Sequence, residues 1–275
     1  MVESRQDQTQ MDSIARKKLI REYYSKRSKD YDMQKSRTWN TREGFGNEVF
    51  DELLTALEGF ENRLLLELGV GSGRNALPLL EKVKPQLVGL DLSREMLKQA
   101  KTKMLSFKDG FDLILADGEH LPFVSQAFDA VVSMSTMHYF AFQWRIIKRL
   151  RKALKENGTL VCGDLTVSET DNQGFFEGLE KTLSRAHARY YKPSRMKRLM
   201  EKQGFRISKM KTIAYRKTYS ALMEDKGRYF GVAPETLHLY LERASAEAKE
   251  QYALTSTEMT LFYTVITAKK KTETT

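Results

Sequence analysis

The sequence has very little cysteine, since Cys162 is the one thiol among 275 residues. A single thiol excludes an intramolecular disulfide framework and a cysteine-rich zinc site. No stretch approaches the ~18 consecutive apolar residues that predict a membrane span. The mostly polar N-terminal segment shows no secretory signal. With 41% hydrophobic and 30% charged residues, the composition is typical of a globular chain. We therefore expect a cytoplasmic protein of one large or two small domains.

Acidic residues are scarce in one segment, 181–217, which holds thirteen lysines and arginines but a single acidic residue, Glu201. That local excess is larger than the +10 net charge of the whole chain, so the rest is close to neutral. Charge runs are usually solvated surface, which is one interpretation. The other is a platform for an anionic substrate. We call 181–217 the basic segment.

Short apolar runs alternate with amphipathic segments through the middle of the chain, and no Pro/Gly-rich linker divides them. This alternation predicts βαβ units and a mostly parallel sheet. Gly158 is expected to end the third of these helices. Strands are predicted at 64–68, 87–90, 113–116, 128–133 and 159–162, and helices at 74–82, 93–103 and 142–155.

The outer parts of the chain are less regular. Helices are expected before the first strand, at 11–29 and 47–57, and after the fifth, at 170–191, 193–204 and 234–251. Strands are expected at 205–213 and 261–267, the latter rich in β-branched and aromatic residues.

The most informative motif is the glycine-rich turn after the first strand, with Gly69, Gly71 and Gly73 in GxGxG spacing. Glycines are needed where a backbone turns sharply and approaches a ligand closely. A dinucleotide site has GxGxxG spacing and a pyrophosphate at the helix start. Glu67 would repel a pyrophosphate here, but it suits a ligand that bears an ammonium or sulfonium group.

Further polar residues follow the later strands, at the sheet edge where α/β proteins bind ligands. Asp91 ends the second strand, where a carboxylate can accept both hydroxyls of a ribose. Asp117 follows the third strand and could accept from an adenine amino group. His138 and Tyr139 follow the fourth, where either could act as a base or hydrogen-bond the substrate; packing is the alternative for His138.

At this point a family resemblance becomes clear. The segments LLLELGVGSGR, VGLDLSREMLKQAK, LADGEHLPFVSQAFDAVVSMSTMHYF and LRKALKENGTLVCGDL resemble the class I S-adenosylmethionine-dependent methyltransferases. Within this class they are most similar to the ubiquinone/menaquinone-type and small-molecule subgroup. The resemblance implies an α/β fold with a Rossmann-like, seven-stranded, mostly parallel sheet. Helices would cover both faces, the last strand would be antiparallel, and inserted helices would form a lid.

The resemblance also implies a cofactor, S-adenosyl-L-methionine, which leaves as S-adenosyl-L-homocysteine. Tyr24 and Tyr31 match the family's N-terminal aromatic segment, which makes them lid candidates, with surface packing as the alternative. The other implied contacts are Glu67, Gly69, Gly71 and Gly73 for the methionine moiety, Asp91 and Leu92 for ribose and adenine, Asp117 and Gly118 for adenine, and the backbone of Ser133 for the ammonium group.

The sequence and this family resemblance together give the expected domain organisation. Residues 1–10 and 270–275 are expected to be disordered, and 11–269 to form one methyltransferase domain. Within it, 11–58 would supply the N-terminal helices and lid, and 170–191 and 219–251 would be helical insertions.

Methyl transfer from a sulfonium needs mainly positioning and exclusion of water, so the catalytic residues are the hardest to predict. His138 and Tyr139 are the candidates. Asp164 at the end of the fifth strand is either part of the site or a turn residue, while Cys162 fits the core. Catechol-type enzymes need an acidic residue where Ser133 stands, so we expect no metal.

Absent motifs also narrow the acceptor. The segment after the fourth strand lacks the Asp/Asn-Pro-Pro-Tyr/Phe motif of adenine and cytosine amino-methyltransferases. We expect a small-molecule or lipid-like acceptor, possibly anionic, with Tyr190 or Tyr191 in its pocket. The alternative is an RNA methyltransferase, acting on tRNA through the basic segment. A protein-modifying enzyme and a non-catalytic cofactor-binding scaffold are less favoured.

Overall fold

The computed structural model describes residues 2–33, 45–107 and 110–272, with side chains from Ser13 onward. Short 3-10 turns at Met137–Tyr139 and Gly227–Phe230 complement the helices and strands. The strands are β1 Leu64–Leu68, β2 Gln86–Asp91, β3 Phe111–Leu115, β4 Phe128–Met134, β5 Leu154–Thr166, β6 Phe205–Thr218 and β7 Glu258–Lys270. The helices are α1 Val2–Arg27, α2 Phe45–Ala56, α3 Ala76–Lys82, α4 Arg94–Met104, α5 Gln143–Ala153, α6 Phe175–Leu183, α7 Pro193–Lys202, α8 Tyr219–Asp225, α9 Pro234–Glu242 and α10 Ala246–Gln251.

The strands form one seven-stranded sheet in the order β3-β2-β1-β4-β5-β7-β6. Neighbours among β1 to β5 pair in parallel, and β7 runs antiparallel to both β5 and β6. This confirms the predicted mostly parallel sheet with an antiparallel last strand. The chain order reverses between β1 and β4, and a crevice forms at such a switch point.

The hydrophobic core has two layers, one on each face of the sheet. Leu65 and Leu66 are adjacent in β1 and belong to different layers, because side chains alternate along a strand. One layer contains Leu53 of α2 and Leu79 of α3, and the other contains Ile146 of α5. The central strands are buried from both sides, which explains their nearly continuous apolar sequences.

The prediction that Gly158 ends a helix is wrong. Helix α5 ends at Ala153, and β5 begins at the next residue. Asn157 adopts a positive φ of 60°, and a Cβ on Gly158 would lie 2.8 Å from the carbonyl oxygen of Lys155. The glycine is therefore required by a tight bend within β5.

Two predicted helices are too long. The segment 170–191 is helical only as α6, because the buried carboxylate of Asp171 accepts hydrogen bonds from the amides of Gly174, Phe175 and Phe176 and so fixes where the helix begins. The segment 234–251 is two helices, α9 and α10, and the Ser245 hydroxyl caps the second. Serine at such a position favours a new helix start over continuation.

The ends of the chain also differ from the sequence-based boundaries. The backbone of α1 begins at Val2, inside the stretch expected to be disordered, and β7 includes Lys270. Residues 273–275 of the expected tail lie outside the described residues. Among the helices that are described, none has both the length and the apolar character needed to cross a bilayer.

Candidate active site

A cavity lies at the carboxyl ends of β1, β2 and β4, beneath α1. The glycine turn and the loops after β2, β3 and β4 supply its floor. Helix α1 contributes Lys17, Ile20 and Tyr24 to its cover. We call this the cofactor cavity. Of the residues expected to contact a cofactor, it is lined by Tyr24, Tyr31, Gly69, Gly71, Asp91, Leu92, Asp117 and Gly118.

The glycine turn has the conformation that only glycine adopts readily. Gly69, Gly71 and Gly73 have φ angles of 76°, 56° and 78°, all in the left-handed region. A Cβ on Gly69 would lie 2.2 Å from Oγ1 of Thr136, so the turn also packs too closely for a side chain. Gly73 faces Ala100 of α4, and a Cβ there would lie 3.3 Å from that residue. The missing side chain therefore lets the helix pack closely against the turn.

Glu67 is a buried carboxyl with an unused oxygen. Its side chain is 1% exposed; Oε1 accepts a hydrogen bond from Asn75 at 3.2 Å, and Oε2 has no partner among the described residues. Burial raises the pKa of Glu67 to about 8. Asn75, its partner, lines the cofactor cavity. An unpaired buried carboxyl is costly, and a cationic group would stabilise it.

Asp91 stands at the end of β2 and organises two loops. Its Oδ2 accepts from the amide of Gly71 at 2.8 Å, and its Oδ1 accepts from the amide of Ser93 at 2.9 Å. Burial raises the pKa of Asp91, while these amide donors act in the opposite direction. A carboxylate has about four lone-pair sites, so Asp91 keeps acceptor capacity for a hydroxyl group in the cavity.

Asp117 contacts α1 in this structure. The ammonium of Lys17 lies 2.6 Å from its Oδ2 and also contacts Glu119. Burial alone would raise the pKa of Asp117, but the Lys17 pair and the amide of Glu119 outweigh it and lower the pKa. Gly118 beside it leaves no room for a side chain, because a Cβ would lie 2.8 Å from Leu68 and 2.9 Å from Phe140.

Ser133 has a buried side chain, and the contact expected of its backbone stays a prediction. It is fully buried in β4, and its hydroxyl has no hydrogen-bond partner within the described chain. The cavity is lined instead by the three residues that follow it, Met134, Ser135 and Thr136.

A second cavity lies beside the first, and four residues line both: Tyr24, Tyr31, Ser135 and Tyr139. The hydroxyls of Tyr24 and Tyr139 share a hydrogen bond of 2.8 Å. Burial raises the pKa of Tyr139 well above its usual value, so its phenol stays protonated at neutral pH. Tyr139 therefore separates the two cavities, and its protonated phenol is poorly suited to act as a base. We call the second cavity the acceptor chamber.

His138 and Asp164 form a buried pair in the acceptor chamber. Nδ1 of His138 lies 2.8 Å from Oδ1 of Asp164, and the amide of His138 donates to Oδ2 at 2.9 Å. Because Asp164 accepts from Nδ1–H, the neutral imidazole presents Nε2 as an acceptor. Nε2 has no hydrogen-bond partner among the described residues. This is the arrangement of a histidine base held by a carboxylate.

The far end of the chamber holds ion pairs from distant parts of the chain. Asp225 at the end of α8 accepts from Arg27 of α1 at 2.6 Å and from Lys217 of β6. Glu180 of α6 pairs with Lys226. These residues are nearly fully buried, apart from Lys226, whose side chain is 17% exposed. The sequence does not indicate these ion pairs, because each residue alone resembles an ordinary charged surface residue.

Some of the cations in the basic segment form ion pairs. Lys209 and Lys211 pair with Glu52, Arg216 pairs with Glu258, and Lys217 is buried against Asp225.

Of the two tyrosines expected near the acceptor, Tyr190 lines the acceptor chamber. Its neighbour Tyr191 instead packs under the guanidinium of Arg195, 4.8 Å from the ring centre.

Asp91→Asn tests the cofactor cavity with little change of shape. We expect affinity for S-adenosylhomocysteine to fall at least ~10-fold, because hydrogen bonds to a charged acceptor contribute about 1.5–3 kcal/mol each. Asparagine keeps one carbonyl acceptor for these amides, whereas alanine would release the amides of both Gly71 and Ser93. Calorimetry measures the affinity, and a thermal melt within a few degrees of the wild type shows that the fold is kept. Unchanged affinity would remove Asp91 from the site.

Residues 66–162 match the family model described as a methyltransferase domain. A malonyl-[acyl-carrier protein] O-methyltransferase of Legionella pneumophila is 31% identical over 144 residues, which is 52% of this chain and 48% of that protein. A demethylmenaquinone methyltransferase of Thermotoga maritima is 28% identical over 166 residues, covering 52% and 70% of the two chains. The chain spans about half the length of the first of these relatives.

The crystal structure of a candidate methyltransferase from Bacillus halodurans superposes with a TM-score of 0.74 and 19% identity, over 81% of this chain and 99% of that one. This likeness shows that the fold is the Rossmann-like fold of class I methyltransferases. The match over residues 66–162 to a methyltransferase domain agrees with the resemblance that the sequence motifs predicted.

Proposed function

We propose that this protein transfers a methyl group from S-adenosylmethionine to a small-molecule acceptor. The observation that carries the proposal is the pair of adjoining cavities. One is built around the glycine turn and Asp91, and the other around His138 and Asp164. Both are lined by Tyr24 and Tyr139 at their junction, and the cofactor cavity lies at the switch point of the sheet.

The residues of the cofactor cavity fit S-adenosylmethionine. Its ribose hydroxyls match the free lone pairs of Asp91. Its ammonium group suits the unpaired carboxyl oxygen of Glu67, which does not itself line the cavity but is hydrogen-bonded to the lining residue Asn75. The glycine turn leaves space that side chains would fill. When bound, the cofactor supplies a methyl group activated by a sulfonium leaving group.

The chain's own residues would orient the acceptor, exclude water and accept a proton. His138 Nε2 takes the proton from an O–H or N–H nucleophile, and Asp164 holds the ring and stabilises the resulting imidazolium. The tyrosines and α1 cover the reacting atoms and exclude water. Lys17 joins α1 to the loop after β3 by ion pairs with Asp117 and Glu119.

Labelled methyl donor tests the function. The protein is incubated with methyl-labelled S-adenosylmethionine and either a small-molecule extract or total RNA from the same cells. We expect label in the small-molecule fraction. Label confined to RNA would contradict the small acceptor, and no label in any fraction would contradict the transferase activity.

The RNA alternative has its own test in the basic segment. Arg195, Lys197 and Arg198 lie in α7, away from the chamber, and are changed together to glutamate. Transfer to the small acceptor should stay within twofold of the wild type. An RNA enzyme would instead lose most of its binding, with a steep salt dependence, because each neutralised phosphate releases counterions.

A further inference from the structure

The outer face of helix α5 is strongly basic. The helix holds five cations and no acidic residue. Its apolar residues are buried in the core, so the cations lie on the opposite side. Lys148 and Lys152 are exposed and four positions apart, which places them in one row along the helix. Arg145 and Arg149 form a second row beside the first. We call this surface the α5 face.

The positive charge of the α5 face is not neutralised within the described residues. A groove beside the helix is lined by the five α5 cations and by Lys270, and its one acidic lining residue, Glu156, pairs with Lys270. Four of the α5 cations have no ion pair in the ranges that the structure describes: Arg145, Lys148, Arg149 and Lys152. An excess of four positive charges therefore remains, with Arg151 left out of the count.

Exposed apolar side chains lie beside these cations. Phe142 and Trp144, at the start of α5, are 37% and 41% exposed, and Trp144 lines the groove. Val124 is 77% exposed and directly precedes Ser125, another residue of the groove. Single exposed apolar residues are common on protein surfaces, but here three accompany four unpaired cations. Lysine and arginine next to aromatic side chains are typical of surfaces that contact the headgroup region of a bilayer.

Two details favour a lipid surface over a nucleic acid. The guanidinium of Arg145 lies over the rings of Phe142 and Trp144, 4.5 Å and 5.3 Å from their centres. It therefore occupies one face of each ring, on which an unpaired base would stack. Val124 offers neither a stacking face nor a hydrogen-bond donor, whereas an aliphatic side chain is stabilised when it leaves water for a bilayer.

We propose that the α5 face is a docking surface for anionic phospholipid membranes. Its cations contact the phosphates of the headgroups, and Trp144, Phe142 and Val124 enter the interface beside them. Negatively charged lipids attract such a surface, while neutral lipids do not supply the counter-charge. This inference goes beyond the proposed function and does not rest on it, because membrane contact and methyl transfer use different residues.

Vesicle sedimentation tests the docking with the full chain. The protein is mixed at roughly 0.15 M salt with vesicles of phosphatidylcholine, either alone or with about a third of phosphatidylglycerol. We expect binding to the anionic vesicles to be at least ~20-fold tighter, because each cation near an anionic surface contributes about fivefold. Equal binding to both, or no binding to the anionic vesicles, would overturn the proposal. Binding of a single-stranded RNA oligonucleotide without binding of vesicles would overturn it in favour of a nucleic acid.

Changing Lys148 and Lys152 together to glutamine tests the α5 face itself. We expect affinity for the anionic vesicles to fall about 20-fold, because about fivefold is lost with each cation. The matched control changes Lys98 and Lys101 to glutamine, since these two lysines are exposed on α4, which packs against the opposite face of the sheet. Thermal melts show that both variants are folded. An equal loss in the control would indicate attraction to the net charge of the whole chain and would overturn the assignment to α5.

Discussion

Replacing His138 with glutamine should lower turnover by about 10²–10⁴-fold, the usual contribution of a general base. Glutamine fills similar space and can still hydrogen-bond Asp164, but it cannot accept the proton. Affinity for S-adenosylhomocysteine should stay within about threefold, because His138 lines the acceptor chamber and not the cofactor cavity. Single-turnover labelling and calorimetry measure the two quantities separately.

Two further variants complete this test. His238→Gln is the control, because His238 is largely exposed on α9 and pairs only with Glu242 among the described residues. Asp164→Asn should lower turnover less than the His138 variant and displace the pH profile, since Asp164 acts through the imidazole. A folded His138 variant with near-normal turnover would exclude proton transfer by this residue.

Cofactor affinity should rise with pH, by up to about tenfold per unit between pH 6 and 7.5. The pKa of Glu67 is about 8, so the carboxyl is mostly protonated in this window and must lose its proton to pair with an ammonium group. The ligand's α-amino group, with a pKa of about 7.7–8.0, is more than half charged throughout this window. Calorimetry in two buffers of different ionisation enthalpy should show release of about one proton. Glu67→Gln should bind more weakly and with a flat pH profile.

The same group makes the ligand-free protein less stable as pH rises. The native carboxyl holds its proton up to about pH 8, whereas the unfolded one loses it near pH 4.5. Between these values the native state binds more protons, so the free energy of unfolding falls as pH increases. At 1.36 kcal/mol per unit, the contribution is about 3–5 kcal/mol. Urea unfolding at pH 5 and pH 8 should show this difference in the wild type relative to Glu67→Gln; equal slopes would contradict the raised pKa.

The fold and the cofactor cavity could be predicted because their signals are local. The β1 strand, the glycine turn and Asp91 lie within 28 residues, and parallel topology brings successive strand ends to one edge. Local chemistry also fixes the start of α4, where the Ser93 hydroxyl accepts from the amide of Met96 as serine caps commonly do. The Gly158 error has a local cause as well, because a glycine that stops a helix and a glycine in a tight strand bend look alike in sequence.

The acceptor chamber could not be predicted, because its parts come from separate elements. Arg27 and Asp225 are 198 positions apart, and Lys226 and Glu180 are 46 apart. Only the packing of α1, α6 and α8 against one another beside β6 brings them together. Lys217 shows the difficulty most clearly, since the sequence placed it in a charged segment and the structure buries it. His138 could be named from its position after β4, but its pairing with Asp164 needed the structure.

The most direct test of the central claim is a binding titration of the purified chain with S-adenosylhomocysteine and, separately, with NAD⁺. The account predicts one molecule of S-adenosylhomocysteine per chain, weakened at least ~10-fold by Asp91→Asn. It also predicts no detectable binding of NAD⁺, because the turn after β1 has GxGxG spacing and not the GxGxxG spacing of a dinucleotide site. Binding of NAD⁺, or failure of a folded wild-type chain to bind S-adenosylhomocysteine, would contradict it.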